Sequence, residues 1–173
     1  RISEGGCDWL HLVSALTVGL LLRVWRIGTE GFWIDEAFSV WLARQPLDEM
    51  IHWVTEVDHH PPLYYGLLRG WVSVFGDGEG AVRLPSALFG TLTIAVVYVL
   101  GRRLLNRHVG RVAAWMVTVS PIHVRFAQEA RMYTLLTLLA SLALTAFVRL
   151  WRGWGGVNLD ECESAIGQRV SVR

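Results

Sequence analysis

The chain contains no lysine: all 16 of its basic residues are arginine. That excludes Schiff-base and amine chemistry from a side chain. Only two cysteines occur, Cys7 and Cys162, near opposite ends and without metal-ligand spacing, so neither a disulfide framework nor a cysteine-based zinc site is expected. Charged residues are scarce at 18%, and the net charge of +1 lacks the basic excess of a nucleic-acid binder. What is abundant is apolar surface, 53% hydrophobic residues with nine tryptophans among 173, too apolar for an ordinary soluble domain.

Runs of about 20 apolar residues mark membrane-spanning helices. Four are expected, at residues 9–27, 84–100, 104–124 and 132–148. The second and fourth are free of charge. The first carries Arg23 and Arg26 at its far end, and the third Arg107, His108 and Arg111 at its near end, so both require arginines that reach an interface. The turns around Arg102, Arg103 and Arg107 and around Arg149 and Arg152 are basic and are expected to be cytoplasmic, which places residues 28–80 and 124–131 outside.

Within the long outer segment, Trp33, Ile34, Ala37, Phe38, Trp41 and Leu42 share one helical face, and Leu47, Met50, Ile51 and Val54 repeat the spacing after Pro46. Leu63 to Phe75 is apolar but too short to span, and Pro61-Pro62 reads as the turn that starts it. The expected fold is therefore an all-α polytopic membrane protein, with about four transmembrane helices and two or three interfacial amphipathic helices in the loop 28–80. Residues 1–152 form one module. Residues 153–173, polar and without apolar period, are expected to be a disordered tail or the product of truncation, and the start at Arg1 also reads as the start of a fragment.

The unusual polar residues fall on the outer side of this topology. Asp35 and Glu36 are adjacent acids in apolar company, Asp58, His59 and His60 precede Pro61, Arg83 begins a span, and Glu129, Arg131 and Tyr133 fill the second outer loop. Ionisable groups at a membrane boundary are costly unless paired or functional, so the cluster is informative. For Asp35 a favourable place in a helix dipole is the bland alternative, and for Arg83 and Arg131 it is headgroup anchoring. Asp35 with His59 and His60 are metal ligands by type, and a divalent cation is one use of them, but no tight ligand spacing supports it.

In order along the chain, Asp35-Glu36, then His60-Pro61-Pro62-Leu63-Tyr64-Tyr65, then Arg83-Leu84-Pro85-Ser86-Ala87-Leu88-Phe89-Gly90, then Gln128-Glu129-Ala130-Arg131-Met132-Tyr133 resemble the N-terminal module of polyprenyl-phosphate-sugar-dependent membrane glycosyltransferases. That superfamily includes dolichyl-phosphate-mannose-protein mannosyltransferases and the aminoarabinose and galacturonic acid transferases of lipid A. The resemblance implies an inverting transfer of sugar from a polyprenyl phosphate to a protein, lipid or glycan acceptor, at a multi-pass site facing outside the cytoplasm. It implies Asp35 as general base, Glu36 as a catalytic residue that orients it or binds the sugar or acceptor, Arg83 and Arg131 at the donor phosphate, and His60, Asp58, Glu129 and Tyr133 elsewhere in the pocket. Membrane lipids are the other expected partners, and the resemblance implies no definite cofactor beyond the divalent cation already named as one use of Asp35, His59 and His60. The competing reading is a non-enzymatic membrane protein, a transporter-like or scaffold subunit, whose spans would carry polar residues at mid-depth. The two best spans carry no ionisable residue, which favours the enzyme.

Overall fold

The computed structural model describes residues 4–58 and 61–154. These form eight α-helices and a π-helical turn, with no strand among the described residues: α1 Glu4–Val24, α2 Ile34–Arg44, α3 Leu47–Trp53 continuing into the π turn Val54–Asp58, α4 Pro62–Phe75, α5 Glu79–Leu104, α6 Arg107–Val119, α7 Pro121–Ala127 and α8 Tyr133–Trp154. The chain is thus all-helical, and the three short helices of the loop 28–80 occur where the sequence spacing puts them. Pro62 sits in the first turn of α4, where its missing N–H costs no helical hydrogen bond.

Two helices, Glu79–Leu104 and Tyr133–Arg152, are long and apolar enough to cross a membrane. At 1.5 Å per residue the 26 residues of α5 extend about 39 Å, beyond the roughly 30 Å hydrocarbon core. Helix α1, with 21 residues, has the length but buries Asp8 and Arg23. The third expected span is not one helix. Residues 104–124 divide at Ser120, whose hydroxyl caps α7 by accepting from the His123 N–H at 3.4 Å, while Pro121 has no N–H with which to continue α6. The 13 residues of α6 extend only about 20 Å.

Helix α5 is the axis of the molecule and packs against α1, α4, α6, α7 and α8. It meets α6 through paired glycines. A Cβ on Gly110 would lie 2.8 Å from the Tyr98 carbonyl and 3.0 Å from the Arg102 nitrogen, so the hairpin between these helices closes only with glycine there. Asn106 caps α6 by accepting from the Val109 N–H at 3.0 Å. Pro85 interrupts α5 and leaves the Ala81 carbonyl without its helical partner. The Trp71 indole N–H of α4 fills that vacancy at 2.9 Å, fastening the outer helices to the axis.

Two cores result. One, from Ala15, Ile94, Tyr98 and Ala114, lies within the bundle. The larger joins Val40, Leu42, Met50, Tyr64, Tyr65 and Leu68 of α2–α4 to Val82, Met132 and Leu135 at the adjoining ends of α5 and α8. The buried face of α2 differs from the apolar stripe expected: Glu36, Ser39, Val40, Leu42 and Ala43 turn inward, and Trp33, Ile34 and Trp41 stay exposed. A buried ion pair at Glu36 sets this rotation.

Arg23 also departs from expectation. It does not reach an interface but is fully buried, donating to the carbonyls of Gly19, Val117 and Thr118 at 2.8, 3.0 and 3.4 Å and to Nδ1 of His123 at 3.0 Å. The last carbonyls of α6, at the negative end of its dipole, offset its charge.

Candidate functional site

The segments expected outside, residues 28–80 and 124–131, meet at one end of the bundle, around Glu36. Its carboxylate is 2% exposed and accepts four hydrogen bonds. Oε1 accepts from Arg83 Nε at 2.9 Å and from the Ala130 N–H at 2.7 Å; Oε2 accepts from Arg83 Nη2 at 2.6 Å and from the Trp33 N–H at 3.3 Å. Burial pushes the carboxyl pKa up, but the Arg83 hydrogen bond, the Ala130 N–H, the Arg83 charge and the Trp33 N–H together hold it below the usual range.

Arg83 is committed just as fully. Its remaining donors reach the carbonyls of Ile27 at 2.9 Å, Glu30 at 2.8 Å and Gly31 at 3.1 Å. With the two bonds to Glu36, all five guanidinium N–H groups are used inside the protein. Arg83, expected at the donor phosphate, therefore has no donor left for one, and Glu36, expected as a catalytic partner, has no lone pair left for a substrate. The pair ties three chain segments together: the loop after α1, the start of α2 and the α7–α8 connection.

Asp35 is placed oppositely. Successive helical residues point about 100° apart, so burying Glu36 turns Asp35 outward. Its side chain is 72% exposed, and Oδ2 lies 3.8 Å from Arg131 Nη2. Arg131 is buried, yet its hydrogen bonding is incomplete: Nη1 donates to the Asp35 carbonyl at a long 3.4 Å, and Nε has no partner among the described residues. Tyr133 lies under the guanidinium, 5.7 Å from ring centroid to Cζ. The Arg131 carbonyl accepts from Ser86 Oγ at 3.2 Å, and that hydroxyl is 3.1 Å from the Tyr64 hydroxyl. Ser86 is one turn beyond Arg83 on α5, a spacing of i, i+3 that could have singled it out in the sequence.

Beside the Glu36–Arg83 pair is a cavity of about 520 Å³, lined by Trp25, Arg26, Thr29, Glu30 and Trp33 on one side and by Arg125, Gln128 and Glu129 on the other. Gln128 holds this wall by donating to the carbonyls of Leu22 and Trp25 at 3.1 and 3.0 Å. Glu129 is 3.5 Å from Arg125. Of the remaining expected residues, Asp58 ends the π turn, and His59 and His60 lie outside the described residues. No group of three or more potential ligands forms a metal site among the described residues.

Residues 59–154 match the family model of dolichyl-phosphate-mannose-protein mannosyltransferases, more than half of the chain. The chain belongs to that family. The matched stretch contains Arg83, Ser86, Glu129, Arg131 and Tyr133, and the acid pair Asp35–Glu36 lies ahead of it. Comparison with curated proteins and with solved structures gives no match. A glycosyltransferase-like membrane protein follows from the family and from its two apolar helices.

Proposed function

We propose that the protein transfers a sugar from a polyprenyl phosphate to an acceptor hydroxyl outside the cytoplasm, with Asp35 as general base and Arg131 facing the donor phosphate. The observation that carries this reading is the division of labour between the adjacent acids. Glu36 is saturated and fixes the first turn of α2, while Asp35 is exposed with an incompletely bonded, buried guanidinium beside it.

In the reaction, Asp35 accepts the proton of the acceptor hydroxyl as its oxygen attacks the anomeric carbon. The bond from that carbon to the phosphate oxygen breaks, its electron pair leaving with the phosphate, and the single displacement inverts configuration. The negative charge gathering on the leaving phosphate is met by the Arg131 guanidinium, whose Nη2 lies beside the exposed Asp35 carboxylate. Arg83 acts through Glu36 as a positioning residue. The nearby cavity, with exposed indoles and planar polar groups, has the size and character to take a sugar ring. Tyr133 positions Arg131, Glu129 belongs to the cavity wall, and Asp58 and His60 are assigned no step.

Replacing Asp35 by Asn tests the reading. Loss of sugar transfer with unchanged membrane insertion supports it, and retained turnover removes Asp35 from the mechanism.

A further inference from the structure

The opposite end of the bundle gathers arginines from three helices: Arg102 and Arg103 in the last turns of α5, Arg107 and Arg111 at the start of α6, and Arg149 and Arg152 near the end of α8. Asp8 lies 3.6 Å from Arg107 and 3.7 Å from Arg111. Arg102, Arg103, Arg149 and Arg152 have no carboxylate partner among the described residues, so among those residues the charge at this end is predominantly positive. Arg152 donates one bond, from Nη2 to the Leu104 carbonyl at 3.0 Å, which joins the ends of α5 and α8. Below this junction is an apolar groove of about 370 Å³ lined by Leu104, Phe147, Val148, Trp151 and Arg152. Trp151 is 70% exposed.

We infer that this groove binds an anionic glycerophospholipid, its phosphate at Arg152, which lines the groove, within the field of Arg149 three residues earlier on α8, and an acyl chain along Phe147 and Trp151. The groove lies at the ends of the two candidate spans, the depth at which headgroups meet acyl chains, so a lipid reaches it from the bilayer. Charge decides the class: an arginine cluster at a span end attracts anionic headgroups, whereas a zwitterionic lipid brings no net charge to it. The inference stands apart from the transfer reaction, which belongs to the other end of the bundle.

The test is fluorescence quenching in phosphatidylcholine bilayers into which dibrominated phosphatidylglycerol or dibrominated phosphatidylcholine is titrated. The signal of Trp151 is isolated by subtracting the Trp151→Phe variant. Phosphatidylglycerol is expected to bind roughly thirtyfold more tightly, the contribution of two arginines at a headgroup. The preference is lost in the double variant Arg149→Gln/Arg152→Gln and kept in Arg125→Gln at the far end. Equal binding of the two lipids, or a preference that survives the double variant, overturns the inference. So does displacement of the lipid by millimolar inorganic phosphate, which would assign the site to free phosphate.

Discussion

Removing the Arg83 guanidinium strands more than one partner. In Arg83→Met the Glu36 carboxylate loses two of its four hydrogen bonds while staying buried, and the carbonyls of Ile27, Glu30 and Gly31 lose their donor. Both side chains of the ion pair are nearly excluded from solvent, at 5% and 2% exposure, so water does little to soften the loss. Breaking one partner of such a pair costs about 3–5 kcal/mol. Arg83→Lys keeps the charge, but one ammonium cannot span acceptors set out for a planar fork, and a loss of about 2 kcal/mol is expected from the stranded groups. Neutralising both partners in Glu36→Gln/Arg83→Met removes the buried unpaired charge, so the double variant is expected to be more stable than the two single losses add up to. Reversible unfolding in mixed micelles, titrated with a denaturing detergent and followed by tryptophan fluorescence, measures these three variants and the single Glu36→Gln that completes the cycle. A loss under about 1 kcal/mol in Arg83→Met, or strict additivity in the cycle, would refute the role given to the pair.

Acid should weaken the same contact. Because the folded Glu36 carboxyl titrates below its ordinary range, its stabilisation is present above about pH 4 and is lost as pH falls through the folded value; Glu36→Gln should show a flatter acid limb in the same unfolding assay. Arg131→Ala should lower kcat by about 10²–10³, the effect of losing a donor to developing negative charge, and a change confined to KM would assign Arg131 to ground-state binding. Trp71→Phe should cost about 1 kcal/mol in the native background and less in Pro85→Ala, where residue 85 regains an N–H for the Ala81 carbonyl; equal losses in the two backgrounds would contradict the compensation inferred between Pro85 and Trp71.

Much of this arrangement was legible in the sequence, for identifiable reasons. Pro46 and Pro61-Pro62 punctuate α2–α4, and apolar length marks α5 and α8. Arginine placement brings Asp35, Arg83 and Arg131 to one end. Periodicity could not show which acid turns inward, because the apolar stripe containing Trp33 and Ile34 competes with a buried ion pair that forms only when α5 and the α7–α8 connection arrive. Arg83 looked like a phosphate ligand because the carbonyls that occupy it come from a loop some fifty residues earlier, in no sequence pattern. The run 104–124 is divided into two helices at Ser120-Pro121, where local capping outweighs continuous hydropathy. An arginine near the end of an apolar run suggests an interface, and sequence gives no sign of the carbonyls at the end of α6 that receive Arg23.

The division between the two acids is tested most directly by comparing Asp35→Asn and Glu36→Gln in the same preparation, with transfer of sugar from a polyprenyl phosphate and unfolding measured side by side. Asp35→Asn should lose at least about 10²-fold in turnover at nearly native stability, as expected for a removed general base. Glu36→Gln should lose stability by about 3–5 kcal/mol, as expected for a broken buried pair. Native turnover in Asp35→Asn, or native stability in Glu36→Gln, would contradict the assignment of chemistry to the exposed acid and of architecture to the buried one.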